Sequence, residues 1–219
     1  MSGLSLDYLF ENPGRVLELT LEHLQLSVYA LLLGLVIAIP LGVLGARFPA
    51  LGLPILSVLG AIYTIPSLAF LAILIPVVGL GTNNAVIVLA AYSLTFLVRN
   101  IITGLRGVDP AVIEAARGMG LSGAQVFTRV TLPLALPVIV AGVRTATVVT
   151  ISTATVAGWV AAGGLGRLLF DGVKLRRPEQ ILAGAIAITL LAILADLLIR
   201  WLSRYLAANR ARRAATGRT

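Results

Sequence analysis

Apolar positions along the 219-residue chain gather into five runs, separated by short polar or glycine-rich interruptions. Each run approaches the ~20 residues that a helix needs to cross a bilayer. The first, from about Leu24 to Gly45, holds no formal charge; Pro40 and Gly42, then Arg47, mark its end. A short loop at 46–54, with Pro49 and Pro54, leads into a second run from about Ile55 to Val78. Pro66 lies at its centre and Pro76 near its end. Proline removes a backbone donor and bends a helix, and in lipid the freed carbonyls need local partners. The hydroxyls of Thr64 and Ser67 are close enough in sequence to serve. The uncharged turn Gly79-Leu80-Gly81-Thr82-Asn83-Asn84 precedes a third run, about Ala85 to Ile102, closed by Arg99 and Asn100. A fourth, about Leu134 to Val160, carries Arg144, and a charged, glycine-rich connection at 161–180 leads to a fifth, about Ile181 to Ile199. The pattern predicts an all-α integral membrane fold with about five transmembrane helices. It divides into an outer polar leader at 1–23, a membrane domain at 24–202 and a basic tail at 203–219.

Composition narrows the class. The chain is 58% hydrophobic and 12% charged, against about 45–50% and 25% in soluble domains. With no cysteine and a single histidine, His23, disulfides, thiolate metal sites and a cysteine nucleophile are excluded, and no metal site is expected. The net charge of +8 does not point to nucleic acid, because the basic residues sit at segment ends and in the tail, as the positive-inside rule requires. With the N-terminus outside, the inner segments receive eleven basic residues (Arg47, Arg99, Arg106, Arg117, Arg129, Arg200 and the five of the tail) against five outside. The expected topology is N-terminus out and C-terminus cytoplasmic, with the tail anchored on anionic lipid. Asp7, Glu11, Glu18 and Glu22 against a lone Arg15 leave no basic region for a cleavable signal, so the first run is expected to remain as an anchor.

The longest polar interruption, 103–133, is then a cytoplasmic loop. Asp109-Pro110 reads as an N-cap followed by proline in the first turn, and Glu114 lies where an acid favours the helix dipole. Gly118 and Gly120 end that helix, and Ser122 caps a second one, Gly123 to Val130, before Leu132-Pro133. The result is two short helices joined by a glycine turn. Their apolar positions Val112, Ile113, Ala116, Met119, Leu121, Val126 and Phe127 need a partner surface.

Glu114-Ala115-Ala116, Gly120, Val130 and Leu132-Pro133 resemble, at the matching spacing, the cytoplasmic Glu-Ala-Ala loop of the membrane-spanning subunits of bacterial ABC importers. Val130 replaces the usual isoleucine. Ile65-Pro66-Ser67-Leu68-Ala69, Arg99-Asn100 and Gly163-Gly164-Leu165-Gly166 resemble the branch that imports quaternary-ammonium osmoprotectants such as glycine betaine, carnitine and choline. Methionine importers share the loop and a similar glycine stretch, so methionine or another amino acid is the alternative cargo. The resemblance implies a type I importer fold in the bacterial cytoplasmic membrane. Its partners would be a second permease subunit, identical or paralogous, two cytoplasmic ATPase subunits and an external substrate-binding protein. Glu114, Ala115, Ala116, Gly120, Val130, Leu132 and Pro133 would couple to the ATPase. No Gly-x-x-x-x-Gly-Lys-Ser/Thr loop occurs in the chain, so the chain is not expected to be an enzyme; ATP and Mg²⁺ would bind the partner.

The remaining positions are more open. Tyr63, Thr64, Pro66, Ser67, Tyr92 and Phe96 are candidates for the translocation path, with the aromatic faces of Tyr63, Tyr92, Phe96 and Trp159 available to a cation; interfacial anchoring and an ordinary proline kink compete with that reading. Arg144 either snorkels to the cytoplasmic interface or has a gating or substrate-related role. Asp196 and Arg200, four residues apart, suggest a local ion pair, and His23 an outer-interface position. Gly163–Gly166 is a flexible turn or a point of close approach for a docked partner. A membrane scaffold without transport is the rival from another class, and a channel or proton-coupled carrier ranks last, since Asp196 is the one candidate intramembrane carboxylate.

Overall fold

A computed structural model describes the backbone of residues 6–215 and the side chains through Tyr205. After a short helix α1 (Asp7–Glu11), the chain forms α2 (Pro13–Arg47), α3 (Pro49–Thr64), α4 (Ser67–Val78) and α5 (Thr82–Arg106). Then follow α6 (Pro110–Gly118), α7 (Gly123–Val126), a π turn (Phe127–Thr131) and α8 (Leu132–Thr153). A 3-10 stretch (Ala154–Val160), α9 (Gly166–Leu175) and α10 (Pro178–Ala215) complete the described chain. Four long apolar helical stretches and one bent pair, α3 with α4, give five candidate crossings.

Several expected boundaries move. Pro13 does not interrupt a leader; it starts α2, where its missing N–H costs nothing, and the helix runs unbroken through residue 23. Only Phe48 separates α2 from α3, so the expected loop at 46–54 is a single extended residue. Pro66 produces a break of 94° between α3 and α4 rather than a kink. The hydroxyl of Thr64 turns back to the Ala61 carbonyl, and the carbonyl freed at Ile65 accepts instead from the Tyr92 hydroxyl on α5. The connection at 161–180 contains a helix, α9, packed against α10 and the 3-10 stretch.

α5 is the central element, packed along α2 on one side and α8 on the other, and is the most buried of the long helices. Close approach depends on small residues, as expected where lipid supplies no hydrophobic drive between helices. Gly34, Ala38 and Gly42 recur every four residues on the buried face of α2, and a Cβ on Gly42 would meet Ile101 Cγ2 at 2.5 Å. On the other side a Cβ on Gly142 of α8 would run into Asn100. Polar ties hold the turns. Asn84 Nδ2 donates to the carbonyls of Gly79 at 2.8 Å and Leu71 at 3.2 Å. Arg106 donates to the carbonyls of Gly45 and Ala46 at the C-terminal end of α2, where a cation offsets the helix dipole.

Two expected polar sites differ. His23 is fully buried, and its Nε2 donates to the Ile151 carbonyl at 2.9 Å, where α8 tightens into the 3-10 stretch. Asp196 pairs across helices with Arg144, not with Arg200: Nε to Oδ1 and Nη2 to Oδ2 are both 2.8 Å. The two-pronged contact matches the charges of a guanidinium and a carboxylate that both stay part-exposed on the flank of α8 and α10.

Candidate functional site

Residues 107–133 project from the end of the bundle where α2 and α5 finish with Arg47 and Arg106. Val108 is buried against that end. The Asp109 carboxylate accepts from the Ala111 N–H at 2.9 Å, and Pro110 opens α6, as the spacing predicts. α6 then stops for a specific backbone reason. Gly120 has φ of +85°, its N–H donates to the Arg117 carbonyl at 2.9 Å, and the Leu121 N–H donates to the Ala116 carbonyl at 3.3 Å. That pair of bonds is the glycine-terminated Schellman cap, and it places a glycine at the left-handed position. Two residues later the chain restarts on a capping box: Ser122 Oγ accepts from the Gln125 N–H, and Gln125 Oε1 accepts from the Ser122 N–H at 2.8 Å.

The second helix is not a separate unit ending at Val130. α7 passes through the π turn directly into α8, and the Leu132 N–H reaches back five residues to the Phe127 carbonyl. Pro133 explains the wide turn: its ring clashes with the carbonyl four residues back in a regular helix, and a π turn opens that spacing. Leu132-Pro133 is thus the first turn of α8, and the loop is mechanically continuous with a spanning helix.

The seven signature residues therefore occupy one continuous segment, but not one face. Ala116 and Val126 are buried. Ile113, Arg117, Val126 and Phe127 line a cleft of about 370 Å³ shared with Leu105 and Arg47. Phe127 also lines an adjoining apolar cleft of about 320 Å³ between α2, α5 and α8. Glu114 and Ala115 point outward, flanked by Val112, 42% exposed, and Met119, 74% exposed. Of the apolar loop positions expected to need a partner, the protein itself covers Ala116 and Val126 and partly covers Ile113, Leu121 and Phe127. Val112 and Met119 remain exposed.

The candidate path residues are brought together at the α3–α4 break. Tyr63 meets Tyr92 and Phe96 edge-on, with ring centroids 5.4 Å and 5.3 Å apart, and Phe70 approaches Tyr92 at 5.9 Å. Tyr92 is almost wholly buried, while Tyr63 is 40% exposed. The cluster first of all packs the break, and only Tyr63 presents much open surface. Sequence reasoning missed Phe70, whose position in α4 depends on the 94° turn.

Residues 38–212 match the family described as binding-protein-dependent transport system inner membrane component. The chain belongs to this family. It is a multi-pass inner-membrane permease of the ABC transporter type, with about five spanning helices. The permease is 42% identical over 189 residues to the choline transport system permease protein OpuBB of Bacillus subtilis, covering 86% of this chain and 87% of that one. It is 42% identical to the carnitine transport permease protein OpuCB of Listeria monocytogenes, covering 85% of each. It is 39% identical to the osmoprotectant import permease protein OsmW of Salmonella typhimurium, covering 89% and 93%. Among solved structures, an inward-facing MetNI methionine ABC transporter aligns with a TM-score of 0.71 at 23% identity, over 85% of this chain and 95% of that chain. At that identity the likeness bears on the fold, which is that of type I ABC importers.

Proposed function

We propose that this permease is the membrane-spanning subunit of an ATP-driven importer of quaternary-ammonium osmoprotectants, the cargo class of glycine betaine, carnitine and choline. The observation that carries the cargo is the identity of 39–42% over at least 85% of both chains to relatives named for choline, carnitine and osmoprotectant transport. The methionine alternative has behind it the shared loop, a similar glycine stretch and a likeness of fold at 23% identity.

In this reading two such subunits, copies or paralogues, pair in the membrane, with the N-terminus outside. Two cytoplasmic ATPase subunits bind ATP and Mg²⁺ and receive α6 and α7, with Glu114, Val112 and Met119 offered to their surface. An external binding protein selects the cargo, and the membrane path contributes weak contacts, Tyr63 among them. Glu114, Ala115, Ala116, Gly120, Val130, Leu132 and Pro133 act as the coupling segment. Its support is mechanical: the glycine cap sets the angle of α6, and the unbroken run from Gly123 into α8 lets a displacement of the loop reach the spanning helices. The test is uptake by the reconstituted complex of radiolabelled glycine betaine, choline and methionine. Quaternary-ammonium uptake is expected; methionine uptake without it would overturn the cargo.

A further inference from the structure

At the bundle end opposite the coupling segment, the polar start of α2 and the glycine run after the 3-10 stretch close around a recess of about 280 Å³. Its lining includes Glu22, Gln25, Thr82, Gly163 and Arg167. The volume lies just under the range of roughly 300–1,000 Å³ typical of small-ligand pockets, which suits a compact molecule. One wall is rigid. The Glu22 carboxylate accepts from the Gly164 N–H at 2.8 Å. Gly163 and Gly164 hold φ of +86° and +77°, a region strained for other residues. A Cβ on Gly163 would run into Glu22 Oε2, and one on Gly164 would meet His23 Nδ1 at 3.0 Å. Behind them buried His23 ties α2 to Ile151 of α8. Glycine is thus required here for close approach to a fixed carboxylate, rather than for looseness.

Arg167, in the first turn of α9, is exposed at the same recess. Glu22 and Arg167 form no salt bridge with each other, so both charges remain open to a third group. None of the lining residues is aromatic, so a cation there is read by charge and not by stacking. We propose that this recess is an outer subsite for zwitterionic quaternary-ammonium cargo, with Glu22 facing the cationic head and Arg167 the carboxylate. The assignment rests on the osmoprotectant reading above. Both groups lie near water, where single ion contacts are weak, and weak contacts suit a site that passes cargo on. Glycine betaine and carnitine carry both charges; choline carries the cation alone. The subsite therefore divides these cargoes.

The experiment is ATP-driven uptake by the full reconstituted complex with its binding protein, using the three cargoes separately. Arg167→Gln is expected to lower glycine betaine and carnitine uptake by roughly twofold to fivefold and leave choline near wild type. Glu22→Gln keeps an acceptor for the Gly164 N–H while removing the charge, and lowers all three. Equal losses for all cargoes in Arg167→Gln, weakened docking of the binding protein in either variant, or unchanged uptake in both would overturn the subsite. Wild-type import without the selective effect removes the subsite alone. Failure of the wild type to import any of the three removes the osmoprotectant reading and the subsite together.

Discussion

Gly120 and Gly118 are two residues apart and look alike in the sequence, yet the backbone separates them. Gly120 holds φ of +85° at the cap of α6, whereas Gly118 is helical, and neither has an atom within 4 Å of an added Cβ. Steric crowding is therefore not the issue at either site; conformation is. Gly120→Ala should cost about 1–2 kcal/mol through left-handed strain, and Gly118→Ala should be neutral or stabilise by up to about 1 kcal/mol through helix propensity. Thermal melting of the purified subunit checks both, and equal melting temperatures would contradict the cap. The Asp109 and Ser122 caps were legible because their signals are local, a side-chain acceptor at a fixed offset from a backbone donor. His23 and Asp196 were misread for the opposite reason. Their partners, Ile151 and Arg144, lie 128 and 52 residues away, and no local rule connects them.

Among elements, the apolar runs located every long helix, because a span needs an uninterrupted apolar stretch and little else. The ends were less legible. α2 begins eleven residues before its apolar run, since Glu18 and Glu22 fit a helix that has left the lipid. The Pro66 break is a tertiary outcome that uses a hydroxyl on α5. The fusion of α7 with α8 is local, a π turn that relieves the Pro133 ring. The Arg144–Asp196 contact ties α8, which continues from the proposed coupling segment, to α10. Arg144→Met alone should lower the melting temperature and the yield of inserted protein, because it leaves the Asp196 carboxylate unmatched. The exchange Arg144→Asp with Asp196→Arg should recover much of the loss. If the exchange is no better than either single change, the pair is not what joins the helices.

For the whole molecule, the fold keeps two chemically distinct ends apart. One presents Glu22, the glycine run and the uncharged turn at 79–84. The other presents Arg47, Arg106 and the proposed coupling segment, Glu114–Pro133. The proposed topology puts the first outside. A chain without cysteine allows this to be read with single replacements. Asn83→Cys should react with a membrane-impermeant maleimide in intact cells, and Arg117→Cys only after permeabilisation; the reverse pattern would invert the topology and remove the coupling reading. The account's central claim is that ATPase motion enters through Glu114–Pro133. Its most direct measurement is ATP-driven glycine betaine uptake by proteoliposomes containing the complete transporter, wild type against Glu114→Lys, with membrane insertion and ATPase co-purification followed in parallel. The account predicts robust uptake by the wild type, and a variant that inserts normally but loses uptake. A Glu114→Lys complex that retains its ATPase and transports at the wild-type rate would contradict it.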